Sequence, residues 1–224
     1  MGSSSVRFGR VALVAGVLVI GGATSWHGQA PVPPINLNDL GDWQVVTESP
    51  VPIAEICDVR PGGVIAVSGK PVGYLASTRS FKNYRLHAEW RWPGSPGNGG
   101  VLVHIGSGPK DRQWPTSFQV QLKHSAAGDL LPMAGATFAE KLSTPPDAKT
   151  PQLNHAAPDS ERPAGEWNTC DILCLGDSIE VVINGVAQNR ITRCSRGEGP
   201  VGFQLEGAPF ELRRITLTPI PAPS

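Results

Sequence analysis

The sequence predicts an all-β protein in which two antiparallel sheets stack into a sandwich. Glycine and proline, 26 and 22 of the 224 residues, favour many turns and few long helices. Roughly a dozen short stretches have the composition or alternation of β-strands, and almost none shows the period of a helix. The length suits one domain, since all-β domains often reach about 200 residues.

The predicted strands follow a short linker, assigned to residues 31–38, and the folded domain is expected over 39–220. Glycine, proline and asparagine residues separate the predicted strands, and Asn184-Gly185 gives the strongest hairpin signal. Prolines rule out a long helix in 125–165, so loops with one or two short strands are expected there, over one rim of a sheet. The predicted strands are 40–46, 53–57, 63–68, 73–78, 85–92, 100–105, 118–124, 167–175, 178–183, 186–192, 201–206 and 209–217.

Three of these stretches, 85–92, 100–105 and 118–124, carry polar side chains at every second position. Alternate side chains of a strand point to opposite faces. The polar faces hold carboxylate, imidazole, amide and guanidinium groups, which suit a polyhydroxylated ligand. An ordinary solvated sheet face is the alternative.

The amino terminus has the layout of a targeting segment. Arg7 and Arg10 precede an apolar run over 11–23, which is shorter than the roughly 20 residues of a membrane span. Residues 1–30 are therefore predicted to be a signal peptide, with an uncleaved membrane anchor as the alternative. Either predicts an exported protein, periplasmic or secreted.

The charge balance argues against a nucleic-acid partner. Nineteen Lys and Arg residues offset nineteen Asp and Glu residues, and no basic stripe is present to bind phosphates. No cofactor motif is recognised. Binding of a divalent cation such as calcium is an open alternative, because several loop aspartates could serve as ligands. They are Asp111, Asp129, Asp147 and Asp159.

Export makes the four cysteines candidates for disulfides. Cys170 and Cys174 would lie about 13 Å apart in a strand at ~3.3 Å per residue, beyond the roughly 7 Å limit for a bridge. Two connectivities remain, in which Cys57 and Cys194 each pair with one of these two. The favoured bridge is Cys174–Cys194, and buried free thiols are the alternative.

Glu89, His104 and Glu206 are candidates for acid–base catalysis. Each is expected on the polar face of a strand whose opposite face is apolar, so adjacent strands would bring them into one groove. Neighbouring carboxylate and imidazole groups can shift each other's pKa values and divide the acid and base roles. The alternative is that Glu89 forms an exposed ion pair with Arg85 or Arg91.

Six further residues are candidates for binding a sugar. Glutamine amides both donate and accept hydrogen bonds, which suits vicinal hydroxyl groups, and an exposed tryptophan can pack against a sugar ring. For Asn98, a left-handed turn conformation in the glycine-rich loop is the alternative that the sequence favours. The candidates are Asn98, Trp114, Gln119, Gln121, Lys123 and Gln204.

Several short blocks occur in a fixed order between about Trp43 and Pro219. They are 83–91 (NYRLHAEWR), 98–101 (NGGV), 114–115 (WP), 119–122 (QVQL), 165–168 (GEWN), 183–185 (ING), 202–207 (GFQLEG) and 210–215 (FELRRI). Together they resemble the 3-keto-disaccharide hydrolase domain family. The resemblance implies a concanavalin A-like (laminin G-like) jelly-roll sandwich. It also implies an exported bacterial protein acting on glycosides, including those oxidised to a ketone at the third carbon.

The chain departs from the family's pattern at three places. Members usually carry Glu at the position of Gln119, often Arg at that of His104, and Asn-Ser-Gly where this chain has Asn98-Gly99-Gly100. An amide cannot act as a general base or bind a metal as a carboxylate does.

The resulting hypothesis is an exported jelly-roll protein whose concave sheet binds a carbohydrate and cleaves 3-keto-glycosides. The ketone acidifies the adjacent C–H, so a base removes that proton, the glycosidic oxygen leaves, and water adds. His104 or Glu89 is the expected base and Glu206 assists the leaving group, while Gln119, Gln121 and Lys123 hold the sugar. Lys123 or a bound cation would stabilise the enolate. The alternative is a non-catalytic carbohydrate-binding module or an enzyme that has lost its activity.

Overall fold

The computed structural model describes residues 33–109, 114–145 and 147–221. Its helical segments in these ranges are a single 3-10 turn at Leu40–Asp42 and the short helix α1 (Ile53–Ile56), neither long and apolar enough to cross a membrane. The predicted targeting segment, residues 1–30, lies outside the described residues. The strands are β1 (Ile35–Asn36), β2 (Trp43–Thr47), β3 (Cys57–Arg60), β4 (Val64–Val67), β5 (Gly73–Ser77), β6 (Tyr84–Arg91), β7 (Gly100–Val103), β8 (Ser117–Gln121), β9 (Leu130–Met133), β10 (Asn168–Leu175), β11 (Ser178–Ile183), β12 (Val186–Ile191), β13 (Gly202–Leu205) and β14 (Phe210–Pro219).

These strands form two antiparallel sheets, which confirms the predicted all-β sandwich. The eight-stranded sheet has the order β12-β11-β10-β6-β14-β4-β3, with β1 paired to β14. The six-stranded sheet has the order β2-β5-β13-β7-β8-β9.

The core lies between the sheets and follows the alternation read from the sequence. Leu86 and Trp90 project inward from β6, and Phe118 and Val120 project inward from β8, each at most 1 % exposed. Burial of a side chain of this size contributes about 1.5–3 kcal/mol. Trp43 of β2 contacts Phe203 of β13 within the same core, with ring centroids 5.4 Å apart.

Two stretches differ from the sequence prediction. Residues 53–56 form α1, with Pro52 at its N-cap position, so the strand predicted over 53–57 is wrong except at Cys57. Residues 35–36, expected within the linker, pair with β14, and Leu37 is fully buried. The folded part therefore begins before residue 39.

The three patterned strands are divided between the two sheets. β7 pairs with β8 in the six-stranded sheet, whereas β6 lies between β10 and β14 in the eight-stranded one. Their polar faces therefore lie on opposite outer surfaces of the sandwich.

Candidate functional site

A groove of about 360 Å³ lies on the outer face of the six-stranded sheet. Side chains at and just beyond the ends of β8 and β13 line it, together with the segment 149–152. Seven of the predicted site residues line this groove: Asn98, Trp114, Gln119, Gln121, Lys123, Gln204 and Glu206.

Three glutamine amides form a hydrogen-bonded chain in the groove. Gln204 Nε2 donates to Gln119 Oε1 at 3.0 Å, and Gln119 Nε2 donates to Gln121 Oε1 at 3.1 Å. The Gln121 oxygen also accepts from the backbone N–H groups of Leu122 and Lys123, each at 3.2 Å. All three glutamines are at least nine-tenths buried, so their amides are held in place.

Glu206 is the carboxylate among the described lining residues, and Lys123 and Lys149 are the cations. Burial raises the pKa of the Glu206 carboxyl, and the charge of Lys123 offsets part of that rise. A carboxyl whose pKa is shifted towards neutrality can give up and take back a proton during one reaction cycle.

The apolar part of the groove includes Trp114 and Met133. Trp114 packs against a small outer-face cluster that contains Leu102 and Ile105. An aromatic side chain beside polar amides is an arrangement suited to the apolar face and the hydroxyl edge of a sugar ring.

One wall of the groove comes from a segment in which the sequence indicated no individual residue. Residues 149–152 lie beside β9, and Leu153 bridges Leu130. The buried carboxylate of Asp129 holds this wall, accepting from the His155 backbone N–H at 2.7 Å and from Gln152 Nε2 at 3.3 Å. The sequence predicted loops over a sheet rim here, but the lack of periodicity gave no signal for single side chains.

The chain matches the 3-keto-alpha-glucoside-1,2-lyase-like domain over residues 32–218. It belongs to this family. No curated protein sequence matches the chain.

Several solved structures are similar to this chain in fold. A candidate glycosyl hydrolase from Parabacteroides distasonis is similar with a TM-score of 0.59 at 18% identity, over 82% of this chain and 91% of that one. A carbohydrate binding module from Bacillus subtilis gives 0.55 at 11%, over 79% and 95%. LamAcat from Zobellia galactanivorans gives 0.51 at 10%, over 84% and 93%. At these identities the likeness establishes the shared jelly-roll fold alone.

The structure does not place Glu89 in the groove. This residue lies on the outer face of the eight-stranded sheet, where its carboxylate accepts from Arg213 Nε at 2.5 Å and from Arg214 Nη1 at 2.8 Å. A bulge in β14 with a left-handed backbone at Arg214 lets two consecutive arginines reach one carboxylate. Burial raises the pKa of Glu89, but the two arginines outweigh it and the pKa is lowered. The expectation that Glu89 shares a groove with Glu206 is therefore wrong.

His104 is also absent from the groove, because the alternation of side chains breaks at this residue. β7 ends at Val103, and His104 has a left-handed φ of 52°, so its ring turns into the core while Ile105 takes the outer face. The ring lies between Tyr84 and Phe118, and its Nδ1 is 3.1 Å from the carbonyl oxygen of Arg196. Burial lowers the pKa of His104 to about 4.

The four cysteines are buried free thiols, so the predicted Cys174–Cys194 bridge is not formed. Both thiols pack in the core as small apolar groups, and burial raises the pKa of each to about 12. Inert thiols of this kind agree with the alternative left open by the sequence.

The described residues contain no cluster of three or more His, Cys, Asp or Glu side chains arranged to hold a metal ion. Of the loop aspartates considered for calcium, Asp111 lies outside the described residues. Asp129 is occupied by the hydrogen bonds that hold the groove wall. The divalent cation suggested by the sequence gains no support from these residues.

Proposed function

We propose that the protein cleaves 3-keto-glycosides in the groove on the outer face of the six-stranded sheet. The proposal rests above all on Glu206, a half-buried carboxyl of raised pKa that lines the groove with Lys123 and the amide chain. Membership of a lyase-like family named for 3-keto-alpha-glucosides supports the choice of substrate.

The chemistry requires one proton to move and one C–O bond to break. A ketone at the third carbon acidifies the hydrogen on the second carbon, and Glu206 removes it to give an enolate. The enolate then forms a double bond between the first and second carbons, restores the ketone and expels the glycosidic oxygen. Glu206 returns the proton to that oxygen, and water adding to the unsaturated ketone gives net hydrolysis.

The other groove residues have supporting roles in this scheme. The Lys123 ammonium stabilises the negative charge of the enolate, as positioned cations do at developing anions. Gln121 and Gln204 orient the sugar through its hydroxyl groups, and Trp114 packs against its apolar face. Glu206 here takes the role of base that the sequence had suggested for His104 or Glu89.

The test compares an oxidised disaccharide with its unoxidised parent. In heavy water, the wild-type protein should exchange the hydrogen on the second carbon of the 3-keto sugar and release the leaving group. The parent sugar should show neither reaction. Equal inertness of both compounds would remove the enzymatic proposal.

A second candidate function is a carbohydrate-binding module without catalysis. Gln119 favours it, because the family resemblance places Glu at this position and here the amide is engaged on both sides by Gln204 and Gln121. Sugar binding without any exchange or cleavage would support this second candidate.

We also propose that the protein is exported to the periplasm or beyond. The support is the charged-then-apolar layout of residues 1–30. Cell fractionation combined with the mass of the mature amino terminus tests this proposal and distinguishes a cleaved signal from a retained anchor. A full-length cytoplasmic protein would contradict it.

A further inference from the structure

The glutamine chain in the groove has a fixed direction. The Lys123 backbone N–H donates to one atom of the Gln121 amide at 3.2 Å. The Leu122 N–H, which donates to Gly99 O at 2.9 Å, also reaches that atom at 3.2 Å. Only an oxygen can accept from them. Gln119 faces that oxygen, and because an oxygen cannot donate, the Gln119 amide must present its nitrogen there. The Gln119 oxygen in turn faces the nitrogen of Gln204. Two backbone N–H groups thus set the orientation of three side-chain amides.

The chain ends in an acceptor that no donor reaches among the described residues. Gln204 Oε1 is buried without a hydrogen-bond partner, and Gln204 as a whole is 2 % exposed. The Oδ1 atom of Asn98, another lining residue, is in the same condition. Buried acceptors without donors are costly, so two of them beside one groove indicate that a ligand supplies the donors.

Gly100 makes room for this arrangement. A Cβ atom at position 100 would lie 2.8 Å from Gln204 Oε1, 2.8 Å from Gln119 Cγ and 2.9 Å from Gln119 Nε2. These are side-chain atoms and not backbone atoms, so an alanine there would displace the amides and leave the strand in place. Gly99 differs, because a Cβ there meets Trp92 at 3.5 Å, an ordinary contact.

We propose that Gln204 Oε1 and Asn98 Oδ1 form an acceptor subsite that selects glycosides by their free hydroxyl donors, and that Gly100 determines this specificity by leaving space for the oriented amide chain. The subsite rests on the proposed function only in taking a glycoside as ligand. A non-catalytic module would use it in the same way. A sugar that lacks the matching hydroxyl leaves the acceptors unpaired and should be rejected.

The test measures by calorimetry the affinity of the full chain for 3-keto-1,5-anhydroglucitol, which carries no glycosidic leaving group and is therefore not cleaved, and for its monodeoxy and mono-O-methyl derivatives. For the wild type and Gly99→Ala, removing or methylating one hydroxyl should weaken binding roughly 5- to 100-fold. Gly100→Ala should bind the parent sugar more weakly and lose most of this discrimination. Urea unfolding should show both variants folded.

Gln204→Leu provides a second variant that removes the orphaned oxygen itself. It should also lose the discrimination, even if Gly100→Ala does not fold. Equal affinities for all derivatives in the wild type, unchanged discrimination in both variants, or no binding of the parent sugar would overturn the inference. Binding with discrimination in a protein that does not cleave methyl 3-keto-glucoside would contradict the proposed enzymatic function and leave the subsite intact.

Discussion

The outer faces of the two sheets both carry polar and charged side chains, but these side chains pair with one another on one sheet and are left partly unpaired on the other. On the eight-stranded sheet, Glu89 and Glu211 are each held by two arginines. On the six-stranded sheet, the groove presents oriented amides, a carboxyl of raised pKa at Glu206 and acceptors that no donor among the described residues reaches. Charged side chains that satisfy one another make a stable surface. Polar groups that line a groove and lack a hydrogen-bond partner are suited to binding a ligand.

The strongest effect on stability should come from His104, which lies in the core and not in the groove. The folded pKa of His104 is about 4, below its ordinary value of 6.5, so below pH 6.5 the unfolded chain takes up a proton that the folded protein does not. This contribution to stability is present above pH 6.5 and is lost as pH falls towards 4, by up to about 3 kcal/mol. Urea unfolding across this range should show the loss.

His104→Gln should remove most of this pH dependence. Sugar affinity of the folded His104→Gln protein at neutral pH should match that of the wild type. A loss of affinity there would restore His104 to the site.

The next effect breaks the charged surface of the eight-stranded sheet. Glu89→Gln leaves Arg213 and Arg214 without a carboxylate, and we expect the free energy of unfolding to fall by about 1–3 kcal/mol. Glu180→Gln is the control, since its pair with Arg190 is exposed and should contribute about 0–1 kcal/mol. Sugar affinity should change in neither variant.

A third change places the family's usual residue in the amide chain. Gln119→Glu removes the N–H that donates to Gln121 Oε1 and sets two acceptors facing each other, so sugar affinity should fall roughly tenfold. Gln44→Glu, on the exposed side of β2, is the control. A Gln119→Glu protein that gained cleavage absent from the wild type would instead indicate an enzyme that has lost its activity.

The smallest effect concerns His87, whose Nδ1 lies 2.8 Å from Asp171 Oδ1. This hydrogen bond raises the pKa of His87 despite the opposing effect of burial. The resulting stabilisation is fully present below pH 6.5 and is lost as pH rises through the higher folded pKa. Because both side chains are partly exposed, a few tenths of a kcal/mol are expected. Unfolding of His87→Gln and wild type at about pH 6 and about pH 8.5 measures the difference.

Much of the groove could be predicted from strand alternation alone. Gln119 and Gln121 face outward because Phe118 and Val120 face the core, and Gln204 alternates with Phe203 and Leu205 in the same way. The alternation of side chains between the two faces of a strand is fixed by backbone geometry and needs no tertiary information.

The placement of His104 could not be predicted in this way. The left-handed backbone of His104, just after β7, reverses the faces on which His104 and Ile105 lie, and no glycine or asparagine in the sequence signals it.

The predicted position of Glu89 was wrong for another reason. The connection over 92–99 passes from one sheet to the other, whereas adjacent patterned strands suggested neighbours. Its length, greater than that of common hairpin loops, was the available signal.

The most direct test compares the two sheet faces through Glu206→Gln and Glu89→Gln, with cleavage of a 3-keto-glycoside measured side by side at neutral pH. We expect Glu206→Gln to bind the sugar but to cleave it at least about a hundredfold more slowly than the wild type, while Glu89→Gln cleaves at the wild-type rate wherever it is folded. Cleavage that survives in Glu206→Gln and disappears in a folded Glu89→Gln protein would place the chemistry on the eight-stranded sheet and exclude the groove as the active site.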